Sequence, residues 1–282
     1  MQRWTLCLLP LGYSMKKIDF YQKHVLISGG SSGIGLALAK QLFSLGANIT
    51  ILARGKDKLE TAKLDIEHSR IESSQTIDIL IADVQNYSAL KKQLEMPRQT
   101  VDVLINSAGI AYPGEFEKMD SDIFAKVMDV NYMGTVNLTK IITPEMIAQH
   151  WGYIVNLSSL AAVIGIYGYT AYAPSKYAIR GFSRCLRAEM VPKGINVSVV
   201  LPPDTDTPQL AFEHTLLPEI TRKINQNGGV LSAEKVACVI IKGMRHKRFT
   251  IIPGVEGKLL YLLAPFIGRY FYHFARKQQN KI

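Results

Sequence analysis

A short apolar run, a glycine-rich turn and a helical pattern follow one another near the start of the chain. Residues 24–28 read HVLIS, residues 29–35 read GGSSGIG, and apolar residues then recur at helical spacing up to Gly46. Glycines let a backbone approach phosphate groups, and the free N–H groups of a helix N-terminus attract their negative charge. The order of these elements predicts a dinucleotide pyrophosphate site, with a plain glycine turn as the alternative.

The second predicted strand, residues 48–53, is followed by a basic residue. An NAD site usually carries an acidic residue near this position, where it binds the ribose hydroxyls. Here Arg54 takes the position, and Lys56 and Lys58 follow. Because these cations can pair with a 2′-phosphate, we expect NADPH/NADP rather than NADH. A surface arginine that opens the next helix is the alternative interpretation.

Strand and helix patterns alternate along most of the 282 residues. Further strands are predicted at 77–82, 101–105, 152–158 and 195–201, a closing strand at 249–252, and long helices at 122–147 and 171–191. The alternation is typical of a Rossmann-type, doubly wound α/β fold, whose mostly parallel sheet carries helices on both faces. No repeat or second folded unit is visible, so we expect a single domain.

Small and polar residues follow the third and fourth predicted strands. Asp83 and Val84 end the third strand, where a carboxylate and the neighbouring backbone can meet an adenine edge. Asn106, Ala108 and Gly109 follow the fourth, where small side chains let a ring and a ribose lie against the strand ends; a tight turn is the alternative. Ligands of such sheets bind outside the carboxyl ends of the strands, where all these residues lie.

The stretch 155–180 carries the candidate catalytic groups. Tyr172 and Lys176 are four residues apart on a predicted helix and therefore share a face, where a cation favours the phenolate. Ser159 precedes Tyr172 by thirteen positions at the end of a strand, so its hydroxyl can enter the same pocket. Together they can hold and protonate a carbonyl oxygen. A surface Tyr–Lys pair is the alternative, and Ser158 competes with Ser159.

The two ends of the chain and one inserted region suggest further roles. Residues 1–17 are an N-terminal extension or a weak apolar anchor, the catalytic domain spans 18–257, and a stiff loop with an amphipathic stretch at about 203–230 suits a lid over the substrate. Residues 258–282 are apolar and basic, which favours a membrane-surface tail; packing on the domain or on a partner subunit is the main alternative, and a true span is disfavoured. The net charge of +10 comes without a nucleic-acid motif, so no nucleic-acid partner is expected. Three scattered cysteines give neither metal-ligand spacing nor a disulfide framework, so no metal site is expected.

Residues 24–255 resemble the short-chain dehydrogenase/reductase family. The glycine motif, Asp83, the turn at 106–109, Asn131, Ser159, Tyr172 and Lys176 occur in the family's order. Within the family, GGSSGIG at 29–35, the run 168–182 and PPDTDTP at 202–208 are most similar to members that reduce the long-chain lipid ketone 3-ketosphinganine. Most family members have Pro-Gly where this chain has Pro202-Pro203, so the departure is itself a mark of that subfamily.

The resemblance implies a role for each matching residue. Tyr172 would protonate the carbonyl oxygen as NADPH delivers hydride, Lys176 would lower the pKa of Tyr172 and bind the nicotinamide ribose, and Ser159 would orient the carbonyl. Asn131 would hold a water that links Lys176 to solvent. The candidate cofactor contacts are Gly29, Ser31, Ser32, Gly33, Ile34, Gly35, Arg54, Lys58, Asp83, Val84, Asn106, Ala108, Gly109, Tyr172, Lys176, Pro202 and Thr205.

Beyond the reacting atoms, the resemblance implies a homo-oligomer associated with a membrane. Its active site would face the cytoplasm, at the endoplasmic reticulum in a eukaryote or the inner membrane in a bacterium. Another lipid ketone or alcohol, such as a hydroxysteroid, a retinoid or a 3-oxoacyl thioester, is the competing substrate class. A cofactor-binding protein without catalytic activity is disfavoured, because such a protein has no need for Ser159, Tyr172 and Lys176 together.

Overall fold

The structure, a computed structural model, describes residues 17–96, 98–225 and 229–266. The strands are β1 His24–Ser28, β2 Asn48–Ala53, β3 Ile77–Ile81, β4 Val103–Asn106, β5 Gly152–Leu157, β6 Ile195–Val200, β7 Thr205–Asp206, β8 Leu231–Ser232 and β9 Thr250–Ile251. Among the described residues that precede β9, the α-helices are α1 Gly33–Phe43, α2 Lys56–Glu67, α3 Tyr87–Leu94, α4 Ser121–Met128, α5 Gly134–Ala148, α6 Tyr172–Met190, α7 Pro208–Leu216, α8 Glu219–Asn225 and α9 Ala233–Arg245.

Seven of these strands form one parallel sheet in the order β3-β2-β1-β4-β5-β6-β9. The chain moves outward from β1 to one edge and then from β4 to the other, so the order reverses between β1 and β4. At such a switch point two loops diverge and leave a crevice at the carboxyl ends of the strands. The prediction of a doubly wound α/β fold in a single domain is confirmed.

The central strands are apolar because both faces of the sheet are covered. All residues of β1, β4 and β5 are buried, as expected for a parallel sheet between two helical layers. One core cluster joins the sheet to α1, α2 and α9, and a second joins it to α3, α5 and α6. This packing fixes the carboxyl edge of the sheet, from which the loops of the site extend.

The predicted helix 122–147 is not a regular α-helix. A π-helical turn, Asp129–Met133, lies between α4 and α5 and contains the fully buried Asn131. Such a turn holds one residue more than an α-helical turn, and these insertions often occur at functional sites. The expectation of one continuous α-helix was therefore wrong at the position where a polar side chain faces inward.

Two features near the predicted lid were not predicted from the sequence. The amphipathic stretch 209–225 forms two helices, α7 and α8, because Pro218 follows the end of α7. The short strands β7 and β8 pair in a second parallel sheet, which ties the loop after β6 to the start of α9. The pairing therefore anchors the start of the predicted lid region next to α9.

Residues 255–266 are helical and follow β9. Within the described residues, no helix combines the length and the apolar character that crossing a bilayer requires. Residues 1–16 of the extension predicted at 1–17, and residues 267–282 of the tail predicted at 258–282, lie outside the described residues.

Candidate active site

The glycine turn after β1 touches the backbone of the turn after β4. Gly29 has a φ of +69°, and a Cβ on it would lie 2.8 Å from the Ala108 backbone nitrogen. A Cβ on Gly35 would lie 2.3 Å from the Gly29 carbonyl oxygen. No rotamer change relieves a clash with backbone, so these two positions need glycine. The cradle has the form expected for a pyrophosphate against the N-terminus of α1.

An open cleft of about 490 Å³ lies at this switch point. Its volume is in the range of small-molecule and cofactor sites. It is lined by Gly29, Ser31, Ser32, Leu52, Ala53, Arg54, Gly55, Lys56, Asp57, Lys58, Ala82, Asp83, Val84, Ala108, Gly109, Ile110 and Val130. The structure thus brings most of the predicted cofactor residues together, and it adds lining residues that the sequence did not indicate. Gly33 and Ile34 begin α1 beside the cleft, and a Cβ on Gly33 would lie 2.9 Å from the Thr207 methyl carbon.

Basic side chains occupy the ribose end of the cleft. Arg54 and Lys58 are exposed, and no acidic group lies within ion-pair distance of either among the described residues, whereas Lys56 pairs with Glu60 at 3.7 Å. A 2′-phosphate would supply the missing anion, and bidentate hydrogen bonding makes arginine well suited to phosphate. The residues at this end of the cleft therefore fit the anionic part of an NAD(P) cofactor.

The residues after β3 and β4 divide into lining and supporting groups. The Asp83 carboxylate accepts a hydrogen bond from the Gln85 backbone N–H at 3.0 Å, which shapes the loop at the adenine end of the cleft. Asn106 differs from the prediction, because its side chain points into the core and donates to Thr139 and Asn156 at 3.1 and 2.8 Å. The Asn106 amide therefore links β4 to α5 and β5 and does not line the cleft.

Asn131 connects the cleft to the catalytic helix. Its Oδ1 accepts a hydrogen bond from the Ile110 backbone N–H at 2.8 Å, and its Nδ2 donates to the Ile110 carbonyl at 2.9 Å. The same Nδ2 donates to the Ser175 hydroxyl at 2.9 Å, and Ser175 donates in turn to the Tyr172 carbonyl at 2.7 Å. The π-helical turn thus holds the loop after β4 at a fixed distance from α6.

The two serines after β5 have different partners. The Ser158 hydroxyl is buried and donates to the Lys176 carbonyl at 2.8 Å, so it fastens α6 to the sheet. The Ser159 hydroxyl accepts a hydrogen bond from the Ala161 N–H at 3.1 Å and also interacts with the Tyr172 phenol. Only Ser159 has a hydroxyl directed at the tyrosine, which matches the residue chosen from the thirteen-position spacing.

Lys176 lies beneath Tyr172 at the inner end of the cleft. Its Nζ donates to the Leu157 carbonyl at 3.1 Å and lies 5.5 Å from the centroid of the Tyr172 ring. A Cβ on Gly109 would come within 3.4 Å of that Nζ and 3.2 Å of Asn131 Oδ1. The amine therefore borders the cleft next to a glycine that leaves room for a ring. Pro202 is buried, and the Thr205 hydroxyl donates to the Pro203 carbonyl at 2.8 Å.

The pKa values around the tyrosine differ from the expectation. Burial raises the pKa of the Tyr172 phenol, the negative charge of Glu213 adds to the rise, and the interaction with Ser159 opposes it. Burial lowers the pKa of Lys176 to about 8. The net shift of the Tyr172 pKa is therefore upward, because burial of the phenol outweighs the hydrogen bonds that oppose it. A protonated phenol is the form that a general acid requires.

A buried polar cluster from α7 adjoins the tyrosine and was missed by the sequence analysis. The Tyr169 hydroxyl donates to Glu213 Oε2 at 3.0 Å, and the Gln209 amide donates to Glu213 Oε1 at 2.9 Å. The rings of Tyr169 and Tyr172 lie 5.8 Å apart, and Leu217 packs against both. The sequence did contain one signal for this cluster, because Glu213 follows Gln209 by four residues in an amphipathic stretch, and the two side chains therefore share a helix face.

Two exposed aromatic side chains lie next in sequence to residues of this cluster. Tyr112 and Phe212 meet edge to face with ring centroids 6.2 Å apart, and both are partly exposed. Tyr112 follows Ala111, which packs in the same cluster as Tyr172, and Phe212 precedes Glu213. Exposed aromatic groups of this kind suit an apolar chain that leaves the pocket.

Sequence and structure comparisons agree with this geometry. A family model described as short chain dehydrogenase matches residues 23–215. The 3-dehydrosphinganine reductase of Danio rerio is 39% identical over 254 residues, covering 89% of this chain and 76% of that protein. The 3-ketodihydrosphingosine reductase of Mus musculus is 39% identical over 251 residues, covering 88% and 76%.

The fold also matches solved structures. A short-chain dehydrogenase from Sphingobium yanoikuyae in complex with NADPH aligns with a TM-score of 0.74 at 24% identity, covering 88% of this chain and 94% of that one. The family match spans strands β1 to β6 of the sheet, the glycine turn and the helix that carries Tyr172 and Lys176. This chain therefore belongs to the short-chain dehydrogenase/reductase family.

Proposed function

We propose that this protein reduces 3-ketosphinganine to sphinganine with NADPH, a step of sphingolipid synthesis. The observation that carries the proposal is a buried Tyr172 that hydrogen-bonds to Ser159 and has the Lys176 amine 5.5 Å from the centroid of its ring. That amine adjoins Gly109, which lines the cleft at the switch point. Relatives named for this reaction are 39% identical over most of the chain, which favours this ketone over others. The aromatic border at Tyr112 and Phe212 provides an apolar path for a long alkyl chain.

Each of the residues Ser159, Tyr172 and Lys176 has a separate role in the proposed reaction. When bound, NADPH supplies the hydride that reduces the carbonyl carbon. Ser159 hydrogen-bonds the carbonyl oxygen and fixes its orientation, and Tyr172 donates its proton to that oxygen as negative charge develops. Lys176 stabilises the resulting phenolate and returns a proton to it, with its amine held by the Leu157 carbonyl. General acid catalysis of this kind typically contributes about 10²- to 10⁴-fold.

The first experiment is a product assay that compares wild-type protein with Tyr172→Phe. With 3-ketosphinganine and NADPH we expect sphinganine from the wild type and a loss of roughly 10³-fold or more in kcat from the variant. Cofactor fluorescence should show that the variant binds NADPH with nearly the wild-type affinity. An active Tyr172→Phe protein would remove the phenol from the mechanism.

The same assay separates the competing substrate classes. A hydroxysteroid, a retinoid and a 3-oxoacyl thioester are offered in parallel at equal concentration, with and without detergent. We expect the highest kcat/KM for 3-ketosphinganine. A higher value for any of the other classes would replace the proposed substrate and leave the reaction type intact.

Arg54 is proposed to select NADPH through its 2′-phosphate. Arg54→Asp removes the cation and supplies the acidic group that NAD sites use for the ribose hydroxyls. The ratio of kcat/KM for NADPH over NADH should fall by about 10- to 100-fold, as expected for one charge-assisted contact. An unchanged ratio would show that the 2′-phosphate lies elsewhere.

We also propose that the protein associates with a membrane through the helical segment 255–266, with its active site facing the cytoplasm. The segment exposes apolar side chains along one face, at Val255, Leu259, Leu262, Leu263 and Phe266. Its start lies beside the catalytic loop, since a Cβ on Gly257 would come within 3.0 Å of Leu160. A lipid ketone could then reach the pocket from the membrane surface.

Co-sedimentation with anionic vesicles tests this surface. The double variant Leu259→Glu/Leu262→Glu should lose binding and retain turnover of substrate in detergent. Equal sedimentation of variant and wild type would exclude the segment as the membrane contact. We further propose a homo-oligomer on family resemblance alone, and analytical ultracentrifugation measures it directly.

A further inference from the structure

Glu213 is a buried carboxylate without a cationic partner. Only 7% of the residue is exposed, and its two carboxylate oxygens accept hydrogen bonds from Tyr169 and Gln209. Among the described residues, no lysine, arginine or histidine nitrogen lies within 4.0 Å of it. Because a buried charge is unfavourable unless it is paired, we expect a cation to bind next to Glu213.

The carboxylate acts on the reacting groups. Its charge contributes to the raised pKa of Tyr172 and opposes the lowering of the Lys176 pKa. Tyr169, which donates a hydrogen bond to Glu213, has its ring 5.8 Å from that of Tyr172. Burial raises the pKa of Glu213 itself, and a cation in the pocket would reverse that shift.

The proposed substrate carries such a cation. In a 2-amino-3-ketone, the carbon that bears the amine is bonded to the carbonyl carbon. A group that binds the amine must therefore lie beside the group that binds the carbonyl oxygen. An ionised carboxylate offers about four lone-pair sites, of which the contacts with Tyr169 and Gln209 use two.

We propose that Glu213, oriented by Gln209 and Tyr169, binds the ammonium group of the substrate and makes the site selective for amino ketones. This inference rests on the proposed function, because it deepens the choice of substrate within the same pocket. The apolar border at Tyr112 and Phe212 would then hold the alkyl chain. The head group and the tail would thus be recognised by two consecutive residues of α7, Glu213 and Phe212.

The experiment compares 3-ketosphinganine with its 2-deamino analogue, the matching 1-hydroxy-3-ketone, in wild-type protein and in Glu213→Gln. Glutamine keeps the shape and an acceptor for Tyr169, and it removes the charge. Wild type should prefer the amino ketone by roughly 10- to 100-fold in kcat/KM, the range of a charge-assisted hydrogen bond. In Glu213→Gln this ratio should fall to about threefold or less, mainly through a higher KM for the amino ketone.

The control is Glu95→Gln, the same chemical change at an exposed glutamate beyond α3, where both the ratio and the turnover should stay at wild-type values. A ratio that persists in folded Glu213→Gln would reduce Glu213 to a structural tether of Tyr169 and overturn the inference. A wild-type protein that reduces both ketones equally would overturn it without any variant and leave the reductase function standing. Reduction of neither ketone would refute the proposed function itself.

Discussion

Replacing Asn131 by alanine should lower both the stability of the protein and its kcat, although Asn131 is not the proton donor. The side chain is fully buried in the π-helical turn and makes three hydrogen bonds, two to Ile110 and one to Ser175. At about 0.5–1.5 kcal/mol each, these bonds amount to about 1.5–4.5 kcal/mol of folding free energy. For a domain of this size that corresponds to a fall in Tm of about 3–18 °C.

The variant should also lose activity while it is still folded. Ile110 lines the cofactor cleft, and Ser175 holds the first turn of α6, which carries Tyr172. Without Asn131 the two elements lose their common support, so the distance between cofactor and phenol is no longer fixed. A small misplacement of reacting groups can reduce a rate by about 10²-fold. We expect a loss of that order in kcat at a temperature where the variant remains folded.

Scanning calorimetry and single-turnover kinetics measure the two effects on one preparation. The matched control is Asn48→Ala, which removes one hydrogen bond to the Thr76 N–H at the opposite, amino end of β2. That control should lose about 0.5–1.5 kcal/mol and keep the wild-type kcat. If Asn131→Ala lost no more stability than Asn48→Ala and turned over normally, the role assigned to the π-helical turn would be refuted.

Two further predictions concern the turn and the lysine. Gly29→Ala should lower the free energy of unfolding by about 2–5 kcal/mol, because the residue has a left-handed φ and its Cβ would overlap backbone atoms. The control Gly181→Ala lies in α6 with open space around it and should raise the free energy of unfolding by about 0.5–1 kcal/mol. Equal melting temperatures of the two variants would contradict this contrast. Lys176 has a folded pKa of about 8, below that of an unfolded lysine, so the unfolded state binds more protons between about pH 8 and 10 and stability from this group should rise with pH there. Urea unfolding should show this rise in wild type relative to Lys176→Met, and parallel pH profiles of the two proteins would contradict it. The raised pKa of Tyr172 acts in the opposite direction, but only above about pH 10.

The sequence predicted the main sheet well because its signals are local. A fully buried parallel strand is a short apolar run, and such runs marked β1, β2 and β6 within a residue or two of their observed bounds. The glycine motif was equally readable, because positive φ and close backbone approach leave few alternatives to glycine. Helical spacing alone placed Tyr172 and Lys176 on one face of α6.

The features that the sequence did not predict share a different cause. The π-helical turn at 129–133, the inward side chain of Asn106 and the pairing of β7 with β8 all depend on partners distant in the chain. Periodicity cannot report which neighbour will satisfy a polar group, and so it cannot tell a supporting amide from a lining one.

The sequence by itself determined the order of strands and helices, the glycine cradle and the catalytic spacing from Ser159 to Lys176. Only the tertiary structure decided the electrostatics of the pocket. It buried Tyr172 and Lys176, which moved their pKa values in directions that adjacency alone did not suggest, and it placed Glu213 beside them. The physical reason is desolvation, which is set by everything packed around a group and is not encoded by its nearest neighbours in the chain.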